Sequence, residues 1–193
     1  MRIKDYISYS QYTLFRSSPG QYKKIYIDGR KLHTKYLSFG SMIAEALESG
    51  EAQTKKIRKT LDSLPPVDER EKEIRADFSG IPLLGKLDGF TRKGPRVDEY
   101  KTGKIPWNQS KVDKFEQLTF YAILVSLKYE IPIGDIKIFL HWIETYEDTD
   151  GHIYMTGRVF PFETRRTTKD ILNFYPKVKK AWIGIELLIN SVI

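Results

Sequence analysis

The stretch from Gly85 to Lys104 constrains this chain more than any other. It reads Gly-Lys-Leu-Asp-Gly-Phe, then a basic turn of Thr91, Arg92, Lys93, Gly94 and Pro95, then Val-Asp-Glu-Tyr-Lys-Thr-Gly-Lys. Two apolar segments around such a turn predict a β-hairpin. Asp88 falls near the end of the first strand, and Glu99 and Lys101 lie two apart on the second. Alternate side chains share a strand face, so Glu99 and Lys101 point the same way. If the register sets them across from Asp88, two carboxylates and one ammonium converge. Two carboxylates from neighbouring strands make a hard, open site for Mg²⁺ or Mn²⁺. Such a cation acidifies water and neutralises phosphate charge, and a lysine beside it can orient the water or stabilise the transition state. The same charges also suit a solvated salt-bridge face.

A chain of 193 residues with 40% hydrophobic and 13% aromatic content is long and apolar enough for one domain with a proper core, spanning residues 1–193. A formal net charge of +7 suits a polyanionic partner, nucleic acid above all, or simple solubility. There is no cysteine, which excludes disulfides, thiolate zinc sites and cysteine-ligated iron–sulfur clusters. Met1 to Tyr6 has no apolar signal core, and no segment approaches about 20 apolar residues. The expectation is a cytoplasmic protein without membrane contact, in the host cytoplasm if phage-encoded.

The remainder reads as alternating helices and strands. Residues 8–26 predict one or two short helices, with Ser8 or Ser10 as cap. Their aromatics Tyr9, Tyr12, Phe15, Tyr22 and Tyr26 suit packing on the main body better than stacking on single-stranded bases. A helix is expected from Thr34 to Ser49, ended by Gly50, and a basic amphipathic helix from Lys55 to Leu64, ended by Pro65-Pro66. Glu71 to Phe78 predicts an outer strand. Thr102 to Ser110 predicts a loop over the hairpin site. In it Lys104 and Trp107 suit contact with DNA by charge and stacking, although Trp107 would equally plug the core edge. Asn108 or Ser110 is expected to cap one long helix to about Tyr129, with Gln117 and Tyr121 on one face. Ile136 to Glu144 is apolar on both faces and reads as a central strand, and His152 to Phe160 as its return. The acidic residues of the intervening turn do not match the spacing of an EF-hand. The last helical region begins at Thr167 or Thr168, and Pro176 is expected to split it or to start a second helix. Its apolar end, Ile183 to Ile193, would complete the core or meet a partner chain. The histidines His33, His141 and His152 read as structural or surface residues.

Asp88, then Glu99-x-Lys101 followed by Thr102-Gly103, resembles the core of the PD-(D/E)XK nucleases, and most of all their RecB-like branch. That branch includes the CRISPR spacer-acquisition nucleases and many phage exonucleases. Three further stretches agree in order: Ile7 to Ser10 with Ser18-Pro19, then Phe39 to Glu48, then Gln117 to Ala122 with its Gln-x-x-x-Tyr pattern. The resemblance covers roughly residues 7 to 125. It implies an α/β fold of restriction-endonuclease type, a mixed central β-sheet flanked by α-helices. It also implies a Mg²⁺- or Mn²⁺-dependent deoxyribonuclease, most often an exonuclease on DNA ends in recombination, repair or phage DNA metabolism. Asp88 and Glu99 would hold the metal, with the Tyr100 backbone carbonyl as a further ligand. Lys101 would assist the attacking water, Gln117 would support the lysine and Tyr121 the DNA. Two departures stand out. Ser18 precedes Pro19 where several relatives carry a cluster-ligating cysteine, so a version without an iron–sulfur cluster is implied. Ala44 stands where the family places a metal-binding histidine, leaving Glu48 or Glu45 as candidate replacements. That departure also motivates a rival reading, a nucleic-acid-binding module or partner-dependent subunit of a recombination complex with weak catalysis.

Overall fold

The computed structural model describes residues 5–30, 35–49, 51 and 54–191. Its frame is five strands: β1 (Glu69–Asp77), β2 (Pro82–Thr91), β3 (Arg96–Gly103), β4 (Lys137–Glu147) and β5 (Ile153–Thr164). They form one sheet in the order β1-β2-β3-β4-β5. All neighbours are antiparallel except β3 and β4, which run parallel. Parallel neighbours need a crossover. Here it passes through α5 (Gln109–Asp113) and α6 (Glu116–Tyr129). Every residue of α6 from Leu118 to Val125 is buried, as expected of a helix enclosed on all sides. It lies between the sheet and the outer helices α1 (Tyr9–Ser17) and α7 (Thr168–Asn190). A smaller apolar cluster covers the opposite face. There Ile43 and Ala46 of α3 (Lys35–Ser49) and Ile57 and Leu61 of α4 (Lys55–Asp62) meet Tyr100, Ile143 and Met155. A short α2 (Pro19–Tyr22) and a π-helical turn (Lys23–Ile27) complete the N-terminal segment. The fold is therefore α/β, a mixed central sheet flanked by helices, as the sequence implies.

The N-terminal aromatics pack as expected. Tyr12 and Tyr22 are buried, and Tyr9, Phe15 and Tyr26 pack against the core. Two helical expectations need correction. The single helix expected up to Tyr129 is two. Asn108 caps α5, and Phe115, in extended conformation, starts α6. The break is filled from a distance: buried Arg166 donates to the carbonyls of Val112 and Phe115 and to the Thr119 hydroxyl. Those are helix-end carbonyls that need partners, and nothing local in the sequence announces an arginine fifty residues on. Pro176, in turn, does not split α7, which runs unbroken from a Thr167–Asp170 capping box. The missing proline N–H frees a carbonyl four residues back, but the helix is held on both sides of Pro176 by buried Phe174, Val178, Ala181 and Ile185. Gly50 and His33 fall outside the described residues.

Candidate active site

The sheet is uneven where it matters. β1 and β2 pair along their length, and β3 and β4 pair over eight positions, but β2 and β3 share only three: Gly89 with Asp98, Phe90 with Val97, and Thr91 with Arg96. Beyond Gly89 the hairpin opens. Gly85 shows what stands beside the opening. A Cβ there would collide with Leu124 and lie 3.2 Å from the Tyr121 ring, so the missing side chain lets α6 press against β2. Tyr121 then donates its hydroxyl hydrogen to the Lys86 carbonyl at 2.9 Å. In the opened hairpin, Asp88 takes over a ladder bond: its Oδ2 accepts from the Tyr100 N–H at 2.8 Å.

This opening brings together the residues that the sequence singled out. Extending the β2–β3 register by one step sets Asp88 opposite Glu99. Lys101 Nζ lies 2.5 Å from Glu99 Oε1, consistent with a shared strand face. Gln117 Nε2 donates to the same Oε1 at 2.9 Å and to the Tyr121 hydroxyl at 2.8 Å. Glu99 is 1% exposed, yet its second oxygen, Oε2, is buried with no hydrogen-bond partner. A buried carboxylate oxygen without a donor is costly, and its position marks where a positive ligand would be stabilised. The three side chains Asp88, Glu99 and Lys101 line one cavity of about 210 Å³, closed by Gly40, Ile43, Ala44 and Leu47 of α3 and by Gln117.

Electrostatics reinforce the point. Burial, and then the charge of Glu99, push the Asp88 carboxyl well above the usual carboxylate range, and the Tyr100 N–H and Lys101 only partly oppose this. Burial works to strip Lys101 of its proton, but the charge and hydrogen bond of Glu99 override it and hold the ammonium charged. The cavity thus favours a proton on Asp88 over a second bare negative charge beside Glu99. A hard divalent cation fits such a donor set: Asp88 and Glu99 supply carboxylate oxygens, and one of those oxygens has no other partner.

Other candidates fall around this centre. Ala44 lines the cavity in the place of the expected histidine. Glu45 and Glu48 are exposed on α3 outside the lining, although the charge of Glu48 helps hold the proton on Lys86. Lys104 is exposed and pairs with Glu147 at 3.4 Å. Trp107 is half-buried against Phe115, whose ring also faces the Lys101 ammonium. With Ile105, Lys111 and Lys114 it lines an open groove next to the site. On the far side of Lys101, Gln117 and Tyr121 lies a second cavity of about 510 Å³, walled by Tyr6, Tyr9, Tyr26, Ser8, Ser10 and Thr13. His141 is buried against Asp98 at 2.7 Å, away from both cavities, and His152 is exposed. Asp148, Asp150 and His152 bring three ligand atoms within 4.8 Å of one another in the exposed β4–β5 turn, where Asp148 caps the turn amides.

One cavity residue escapes a reading of the sequence. Glu71 of β1 lines the cavity and pairs with Lys86 at 2.5 Å. It sits in the run Glu-Arg-Glu-Lys-Glu, which looks like an exposed strand. The register shows otherwise, since Glu71 falls between the pairs Arg70–Gly89 and Lys72–Leu87 and so faces Asp88.

With this geometry in view, the likeness to solved structures can be weighed. The chain is similar to a protein assigned as an exonuclease from Eubacterium rectale, at 14% identity and a TM-score of 0.61, over 98% of this chain and 83% of that one. It is similar to a phage-related exonuclease from Haemophilus somnus 129PT, at 13% identity and a TM-score of 0.57, over 92% and 83%. It is also similar to an alkaline exonuclease from Laribacter hongkongensis, at 10% identity and a TM-score of 0.54, over 97% and 91%. No family model matches the chain, and no curated protein does. Likeness at these identities shows the fold alone: the chain shares the architecture of these three solved structures.

Proposed function

We propose that the chain is a divalent-metal-dependent deoxyribonuclease acting as an exonuclease on DNA ends, in recombination, repair or phage DNA metabolism. The observation that carries this reading is the partnerless Glu99 Oε2, buried beside Asp88 and one strand step from a charged lysine. Asp88, Glu99 and the Tyr100 carbonyl would hold Mg²⁺ or Mn²⁺, which supplies charge neutralisation at the phosphate and a more acidic water. Lys101 positions that water or meets the charge developing on the phosphate. Gln117 fixes the Glu99 oxygen that Lys101 also uses, and Tyr121 anchors Gln117 to β2. The sole hydroxyl hydrogen of Tyr121 goes to Lys86, so it supports the site by bracing it. The Tyr-lined cavity and the Trp107 groove flank Lys101 and give single-stranded ends apolar and basic surfaces to follow. A net charge of +7 agrees with a polyanionic substrate. Among the described residues no helix is long and apolar enough to cross a membrane.

The test is digestion of end-labelled linear and closed circular DNA, single- and double-stranded, with Mg²⁺ or Mn²⁺, beside Lys101→Ala. Metal-dependent loss of linear DNA that spares circles and is abolished in the variant is the expected result. Cleaved circles would make the protein an endonuclease. Salt-sensitive binding without cleavage by either protein would favour the rival reading, a binding module or partner-dependent subunit, for which Ala44 on the cavity wall is the motive.

A further inference from the structure

Three carboxylates, not two, lie in line across the sheet. Asp88 faces Glu71 on β1 and, by one step of register, Glu99 on β3. Neighbouring strands are about 4.8 Å apart, so the row crosses three adjacent strands at one level. All three line the same cavity. Glu71 has no backbone ladder partner on β2, although the ladder continues in unchanged register on both sides of it. Its backbone is left-handed, with φ +50°, a conformation that a residue with a Cβ rarely adopts. Its side chain is 14% exposed and its charge acts on Asp88.

From this we infer that Glu71 is the third carboxylate of the cation site, and that Lys86 is the ammonium a divalent ion must compete with to reach it. The inference rests on the metal-dependent reading above. The partnerless, buried Glu99 Oε2 at the far end of the row independently points to a positively charged ligand in this cavity. The three carboxylates are not gathered within 4.8 Å of one another. Each outer member is held by its own lysine, Glu71 by Lys86 and Glu99 by Lys101, both at 2.5 Å. Lys86 also borders the Tyr-lined cavity, so an ammonium released from Glu71 stays beside the path proposed for DNA. With Ala44 in place of a histidine, Glu71 restores the number of side-chain ligands from β1 instead of from α3.

The experiment is Mn²⁺ binding without DNA, by titration calorimetry and by the loss of free-ion electron paramagnetic resonance signal. It compares wild type with Glu71→Gln, Glu71→Gly, Lys86→Met and Asp88→Asn. Glu71→Gln and Glu71→Gly are expected to weaken binding by about 10-fold or more, and Lys86→Met to tighten it by removing the competitor. Glu71→Gly also relieves the left-handed backbone, so its melting temperature in chelator should not fall below that of Glu71→Gln. That comparison separates a lost ligand from a damaged fold. Unchanged Mn²⁺ affinity in Glu71→Gly and Lys86→Met, with binding lost in Asp88→Asn, would overturn the inference and leave Glu71 as a salt-bridge partner only. Unchanged affinity in Asp88→Asn as well would overturn the metal reading of the whole cavity, and this inference with it.

Discussion

Glu116, at the start of α6, and Asp88, in the opening between β2 and β3, are both acids drawn into the fold, and their surroundings treat them oppositely. Glu116 accepts from the Tyr12 hydroxyl at 2.8 Å, from Arg16 at 2.9 Å and from Lys177 at 2.7 Å. Burial alone would raise its pKa, but the hydrogen bonds of Lys177 and Tyr12, with the charges of Lys177 and Arg16, override it and hold the carboxyl low. The result ties α1, α6 and α7 together. Asp88 has one backbone donor and a second carboxylate beside it, and its carboxyl is pushed well up. Glu116 stands in a completed network. Asp88 stands in one that lacks positive charge, and a fold tolerates that deficit most readily where a ligand corrects it.

The largest effect that tests this contrast is on chemistry. Asp88→Asn should lower metal-dependent DNA cleavage by about 10²–10³-fold or more, while Glu116→Gln keeps the rate at temperatures where it is folded. Equal losses in the two variants would erase the distinction. Next comes the wedge that opens the hairpin. Gly85→Ala should cost about 1–3 kcal/mol in urea unfolding by overpacking against Leu124, and should impair cleavage because Gln117 moves with α6. A fully stable, active Gly85→Ala would mean that close helix approach is not needed.

The pH dependence of stability, measured in chelator from about pH 3 to about pH 8, should separate the two acids by sign. Asp88 binds its proton more tightly folded than unfolded. Its contribution is therefore present in acid and is lost as pH rises from the ordinary carboxylate value through the raised one. Above that window Asp88→Asn should melt a few degrees higher than wild type. Glu116 binds its proton less tightly folded, so its contribution is complete above the ordinary carboxylate value and disappears as pH falls through the lowered one. Glu116→Gln should thus melt lower than wild type at neutral pH, with both variants converging on wild type in acid. A Glu116→Gln melting curve that tracks wild type at every pH would show the hub to be ornamental. The smallest effect expected is that of Tyr121→Phe, which removes the hydrogen bond to the Lys86 carbonyl and the one accepted from Gln117 and should cost about 1–2 kcal/mol.

Much of this architecture was legible in the sequence, because strand alternation and turn chemistry act locally. The hairpin, the central β4 and the helix carrying Gln117 and Tyr121 all follow from residues within a few positions of one another. The structure places Asp88, Glu99, Lys101 and Gln117 around one cavity. What escaped was set by long-range register. Glu71 looks like any charged strand residue until β1 is laid beside β2. The break between α5 and α6 depends on Arg166, far along the chain. Pro176 misled because the tertiary packing of Phe174, Val178, Ala181 and Ile185 holds α7 together across it.

The bond from the Tyr100 amide to Asp88 has a practical consequence. A strand amide ordinarily senses a neighbouring peptide carbonyl, whose charge never changes. This one faces a carboxylate, whose charge changes as it gains or loses a proton. In a proton–nitrogen correlation spectrum the Tyr100 resonance is therefore a gauge placed in the cleft by the chain itself, reading the charge on Asp88 without label, substrate or turnover.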